Sequence, residues 1–142
     1  MKTQHSILIV DNDNDVVNTY RDYFKKQKMR VDVAHNSIEG LKKLREGEFH
    51  VALVNLNLPR MNGLEMIEMA KEEDIMTNMV ILSEKGEGDR NNAITALNLG
   101  VKGWFEKTPR AMNELLNKVK ELSESMSLDE IDSFISALST QN

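Results

Sequence analysis

The sequence predicts a doubly wound α/β domain, a five-stranded parallel sheet covered by helices on both faces, with one extra amphipathic helix at the C-terminal end. Three observations carry this reading. Short apolar runs recur along the chain, each is followed by a longer segment with apolar residues at helical spacing, and polar or glycine-bearing clusters separate the two. Strands buried on both faces read as unbroken apolar runs, and strands alternating with helices build parallel sheets through crossover connections.

Ile7-Leu8-Ile9-Val10 is the first such run, and Asp11-Asn12-Asp13-Asn14-Asp15 after it suits a loop and a helix cap. Val16, Val17, Tyr20 and Phe24 predict a first helix running to about Gln27. Val31 to Ala34 is a second strand, and Ile38, Leu41 and Leu44 mark a second helix ended by Gly47. Val51 to Val54 is the third strand, followed by a loop from Asn55 to Asn62. Gly63 then opens a helix that buries Leu64, Ile67 and Met66 or Met69. Met79 to Leu82 is the fourth strand, with Ser83 at its end. Glu84 to Asp89 holds two glycines and is expected to be a mobile loop. Ala93, Ile94, Ala96 and Leu97 mark a helix closed by Gly100, Gly103 to Glu106 a fifth strand, and Met112, Leu115, Leu116, Val119 and Leu122 a fifth helix. After a polar, serine-rich stretch, Ser127-Leu128-Asp129-Glu130 has the form of a capping box. Leu128, Ile131, Phe134, Ile135 and Leu138 then predict a sixth helix from about Leu128 to Leu138. The expected organisation is a domain over residues 1–123, then a linker and helix over residues 124–142.

Composition narrows the function. A chain of 142 residues fits one domain with a proper core, and 40% hydrophobic with 29% charged residues is ordinary for a globular protein. With no cysteine there is no disulfide and no thiolate metal site. The first apolar run is too short for a signal peptide, and no stretch reaches the length of a membrane span, so a cytoplasmic protein without a membrane partner is expected. A net charge of −5 argues against a nucleic-acid partner held by the overall field. The residues after Ser123 are too few for a helix-turn-helix unit, so no DNA-binding output domain is expected there.

Open parallel sheets place their sites beyond the carboxyl ends of the strands, near the topological switch point. That rule selects Asp11, Asn12, Asn55, Ser83 and Lys107. His5, His35 and His50 lack metal-ligand spacing and read as surface residues.

ILIVDND, VALVNLNLPRMNG, VILSEK and ALNLGVKGWFEK occur in this order. Over about Ser6 to Ser123 they make the chain resemble the CheY-like receiver domain of bacterial two-component response regulators. The resemblance implies a flavodoxin-like sheet of order 2-1-3-4-5 and a phosphorelay role. In that family an aspartate takes a phosphoryl group from a histidine kinase, carboxylates hold Mg²⁺, and a lysine and a hydroxyl hold the phosphoryl oxygens. The hydroxyl is coupled to a nearby aromatic residue.

Mapped onto this chain, the resemblance implies a degenerate, pseudo-receiver variant. Asn55 stands at the acceptor position, and its neutral amide oxygen is too weak a nucleophile to form an acyl phosphate. Asp11 keeps the first acidic-pair position and Asn12 replaces the second. The metal positions are therefore Asp11, Asn12, Asn55 and the backbone carbonyl of Asn57. Two of three carboxylates have become amides, so Mg²⁺ binding is expected to be weak or lost, and no cofactor is expected. Ser83 and Lys107 keep the phosphate-contact positions, and Trp104 fills the switch aromatic position. Lys107 is expected to pair with Asp11 and rest on the Asn55 amide oxygen. Glu84 is expected to crowd phosphate access, and Thr108 to replace the usual proline after the lysine.

The expected function is that of a stand-alone receiver-like signalling domain, not an enzyme. It would act through protein contacts with a histidine kinase, a phosphotransfer protein or another signalling protein. Two other readings are a phosphoacceptor that uses Asp11 or Asp13, and a structural module that forms a homodimer through the C-terminal helix. The apolar stripe of that helix is expected to be covered. Arg21, Lys25, Lys26, Lys28 and Arg30 form a basic stretch, read as a solvated face or a partner contact.

Overall fold

The structure, a computed structural model, describes residues 4–124 and 128–139. Its elements in chain order are β1 (Ser6–Val10), α1 (Asn14–Lys26), β2 (Arg30–Ala34), α2 (Ser37–Glu46), β3 (Val51–Asn55), α3 (Gly63–Glu72), β4 (Asn78–Ser83), α4 (Arg90–Asn98), β5 (Gly103–Glu106), a 3₁₀ turn (Pro109–Ala111), α5 (Met112–Glu124) and α6 (Leu128–Ser139). The five strands form one parallel sheet in the order β2-β1-β3-β4-β5.

Strand parity divides the core into two layers. Ile7, Ile9, Val51, Leu53, Val80 and Leu82 pack with Tyr20 and Phe24 of α1 and Leu115, Leu116 and Val119 of α5. The alternate residues Leu8, Val10, Ala52, Val54 and Ile81 pack with Leu41, Leu44, Leu64, Met66 and Ile67 on the other face. β1 and β3 are buried along their whole length, which is why their sequences are apolar without alternation.

Four helices start with a side-chain cap at the carboxyl end of the sheet. Asp13, Asn36, Asn62 and Asp89 each accept backbone N–H groups of the first turn of α1, α2, α3 and α4. Gly63, the first residue of α3, fits because a Cβ there would overlap the Asn55 carbonyl oxygen. This close approach brings the start of α3 against the end of β3.

Some apolar residues assigned to the core are not buried. Ile38 of α2 is 65% exposed, Met69 of α3 lies at the surface while Met66 is buried, and on α4 only Ala96 is buried. Ile94 and Leu97 are 49% and 76% exposed. Helical spacing identifies α4, yet among its described residues Ala96 alone is buried in the core. On α6, Ile135 and Leu138 are each about half exposed in the single chain. The side chains of Leu128, Ile131 and Phe134, and the capping residue Ser127, lie outside the described residues.

Candidate functional site

Register builds the site. Val10 pairs with Val54, so Asp11 and Asn55 leave β1 and β3 side by side. Asn55 pairs with Leu82, Ser83 pairs with Glu106, and the Lys107 N–H donates to the Ser83 carbonyl at 2.7 Å. Asp11, Asn12, Asn55, Ser83 and Lys107 therefore meet at the carboxyl end of the sheet, where β1 separates crossovers to opposite sides.

Asp11 is 1% exposed and Lys107 5%, with Lys107 Nζ 2.8 Å from Asp11 Oδ2. This contact has the length of an ion pair without the direction of a hydrogen bond, and Oδ2 has no hydrogen-bond donor among the described residues. Asp11 Oδ1 accepts the Asp13 N–H at 2.9 Å. Glu84 brings a second carboxylate to 3.6 Å from Lys107 Nζ at the mouth of the pocket.

The Asn55 amide is oriented by its neighbours. Its Nδ2 donates to Asn12 Oδ1 at 3.1 Å, to the Asn57 carbonyl at 3.3 Å and towards Asp11 Oδ1 at 3.5 Å. Its Oδ1 accepts the Asn57 N–H at 3.5 Å. A carboxylate and a backbone carbonyl can only accept, so the donor nitrogen must face them. The expected contact between Lys107 and the Asn55 oxygen is thus replaced: that oxygen turns to the Asn57 backbone, and Lys107 lies between Asp11 and Glu84.

Ser83 Oγ accepts the Trp104 Nε1–H at 2.9 Å. Trp104 in turn lies under Gly88, where a Cβ would fall 2.7 Å from the indole and where φ is +86°. Only glycine tolerates both conditions. Glu87, inside the loop expected over Glu84 to Asp89, accepts the Asn57 Nδ2–H at 3.0 Å and the Glu84 N–H at 2.7 Å. The β4–α4 loop is thus strapped to the β3–α3 loop across the pocket. A single glutamate between two glycines gives no sequence signal for such a bridge.

Asp13 Oδ1 accepts the N–H groups of Asp15 and Val16 at 2.9 and 3.3 Å, so its side chain is engaged in capping α1. Thr108 caps the 3₁₀ turn through the Ala111 N–H at 3.3 Å, a role that a proline side chain lacks. No cis peptide occurs among the described residues. His50 is partly buried, with Nδ1 accepting the Ser6 N–H at 3.0 Å and its ring 5.9 Å from that of His5, away from the site.

Beside the pocket lies a groove of about 610 Å³ between α1 and the start of α5, lined by Val16, Tyr20, Tyr23, Glu84, Lys107 and Met112 among others. Tyr20, whose helical spacing marks it as a core residue, also links groove and pocket. Its burial pushes the phenol up to about 12, and the Asp11 and Glu84 carboxylates add to the effect. Among the described residues, no group of three or more His, Cys, Asp or Glu is placed to hold a metal ion, and no helix is long and apolar enough to cross a membrane.

A 2-1-3-4-5 sheet with acidic, hydroxyl and lysine side chains gathered beyond its strands defines a flavodoxin-like α/β signalling domain. The model of the response regulator receiver domain matches residues 7–120, and the chain belongs to that family. It is 25% identical over 114 residues to the uncharacterized transcriptional regulatory protein YkoG of Bacillus subtilis, a match over 80% of this chain and 49% of that protein. It is 26% identical to the response regulator SSK1 of Verticillium dahliae, covering 76% of this chain and 13% of that one. The chain thus spans half or less of the length of these two relatives. Among solved structures, a CheY-like receiver domain protein from Methanospirillum hungatei superimposes with a TM-score of 0.75 at 26% identity, covering 84% of this chain and 97% of that one. A response regulator receiver protein from Pseudomonas putida reaches 0.78 at 20% identity, with 85% and 99% covered, a likeness of fold. The chain is a receiver domain of two-component signalling.

Proposed function

We propose that this receiver domain signals through protein contacts in the cytoplasm without taking a phosphoryl group at position 55, and that it catalyses no reaction of its own. The observation that carries this reading is the buried arrangement of Asn55. A neutral amide stands at the acceptor position, and its nitrogen faces the oxygens of Asp11, Asn12 and Asn57. An amide supplies no anionic oxygen for attack on phosphorus. The other candidate acceptors are engaged, Asp11 by Lys107 and Asp13 by the first turn of α1.

The partner is a histidine kinase, a phosphotransfer protein or another signalling protein. The groove between α1 and α5 and the exposed basic side chains of Lys25, Lys26, Lys28 and Arg30 offer it a surface. Nucleic acid does not suit a chain of net charge −5. Incubation with a radiolabelled phosphohistidine donor tests the reading. No label should pass to the chain, and a stable acyl-phosphate label would sink it.

A second reading adds to the first, a homodimer through α6. Ile135 and Leu138, one turn apart, are each about half exposed on a helix of apolar pattern. Deleting residues 127–142 should then convert a dimer to a monomer in light scattering. An unchanged mass rejects it.

A further inference from the structure

We infer that the Asn55 amide nitrogen is an internal substitute for the divalent cation that the receiver family implies at this pocket. The pocket would be complete without metal and unfit to take one. The inference rests on the reading that position 55 accepts no phosphoryl group.

The donor set decides the fit. A hard divalent cation needs several oxygens free to converge on it, with anionic charge to offset the loss of its water. The oxygens here are Asp11 Oδ1, Asn12 Oδ1 and the Asn57 carbonyl, and all three converge on Asn55 Nδ2, at 3.5, 3.1 and 3.3 Å. The amide has two N–H bonds for these three acceptors, so at least one bond is shared, which fits their length. The position that needs positive charge already holds the positive end of an amide dipole. An ion placed there would meet the amide hydrogens.

Charge points the same way. Asp11 is the one buried carboxylate among the described residues, and its other oxygen lies 2.8 Å from Lys107 Nζ. The buried pair is neutral in itself, so the negative charge that remains, on Glu84 and Glu87, sits at the mouth and not among the three converging oxygens. Glu84 and Glu87 lie at the mouth, one near Lys107 and the other occupied by Asn57 Nδ2 and the Glu84 N–H. The strap from Glu87 to Asn57 also holds the loop whose carbonyl faces the amide.

Asn55 on this account differs from a residue that has merely lost a charge. Asn55→Leu keeps the volume and removes the donor, leaving three oxygens facing a methyl group. Asn55→Asp places an anion among them and makes a true demand for a cation.

Thermal denaturation of the full chain, with EDTA or with millimolar Mg²⁺, tests this. The natural protein should melt at the same temperature in both. Asn55→Asp should melt lower in EDTA and rise by about 4 °C or more with Mg²⁺, and Asn55→Leu should melt lower in both. A natural protein stabilised by Mg²⁺ as Asn55→Asp is, or an Asn55→Leu variant as stable as the natural protein, overturns the inference. If a variant does not fold, the Asn55 side-chain NH₂ pair in the ¹⁵N spectrum of the natural protein decides. It should be protected from exchange and unmoved by Mg²⁺, and a Mg²⁺-dependent shift overturns the inference. A chain that binds Mg²⁺ yet takes no label would contradict this inference and leave the functional reading standing.

Discussion

Lys107 Nζ lies 2.8 Å from Asp11 Oδ2, and the two side chains are almost wholly buried at the carboxyl end of the sheet. The pair joins β1 to the end of β5 across β3 and β4. Removing one partner strands the other charge in the interior. Lys107→Met should therefore cost about 3–5 kcal/mol in urea unfolding. Asp11 keeps the Asp13 N–H, which favours the lower end of that range. The double change Asp11→Asn with Lys107→Met should cost less than the sum of the single changes. Additive costs would show that the pair is not coupled.

Gly63 is fixed by the Asn55 carbonyl, which a Cβ would overlap. Backbone gives way less readily than a flexible side chain, so Gly63→Ala should destabilise by roughly 1–3 kcal/mol. It should also disturb the Asn55 amide resonance, because the same residue supplies both contacts. An unchanged amide signal together with full stability would refute this account of Gly63.

Trp104 carries the contact between pocket and surface. Trp104→Phe removes the donor to Ser83 Oγ and should cost about 1 kcal/mol. Gly88→Ala should cost more, since it strains a residue at φ +86° and presses on the indole. That variant should shift the Trp104 fluorescence maximum to longer wavelength, and an unmoved spectrum would mean that Gly88 does not hold the ring.

Tyr20 sets a dependence on alkaline pH. Its phenol is pushed up to about 12, first by burial and then by Asp11 and Glu84. In the unfolded chain it titrates near 10, so the unfolded state loses its proton first as pH rises. The contribution is whole below about pH 10 and is lost as pH climbs towards 12. Unfolding measured across that window should show the loss, and Tyr20→Phe should flatten it. Equal slopes in the two proteins would contradict the assignment.

Much of this was legible in the sequence, for physical reasons. β1 and β3 are buried on both faces, so ILIV and VALV announce themselves, and the parity of a parallel register carries Asp11, Asn55, Ser83 and Lys107 to one end. Other features depend on what a side chain meets. Helical spacing located α4 but could not show that Ile94 and Leu97 stay exposed while Ala96 is buried. The direction of the Asn55 amide follows from which neighbours can only accept, and composition does not reveal that. Glu87 crosses the pocket because two glycines turn its loop, a geometry with no periodic signature.

On the proposed reading, position 55 keeps its place in the pocket without the chemistry of a phosphoryl acceptor. Intact-mass spectrometry after incubation with acetyl phosphate and Mg²⁺ tests it most directly, on the natural protein beside the double variant Asn12→Asp with Asn55→Asp. The natural protein should keep its mass, while the variant should gain one phosphoryl group. A phosphoryl gain on the natural protein would contradict the account.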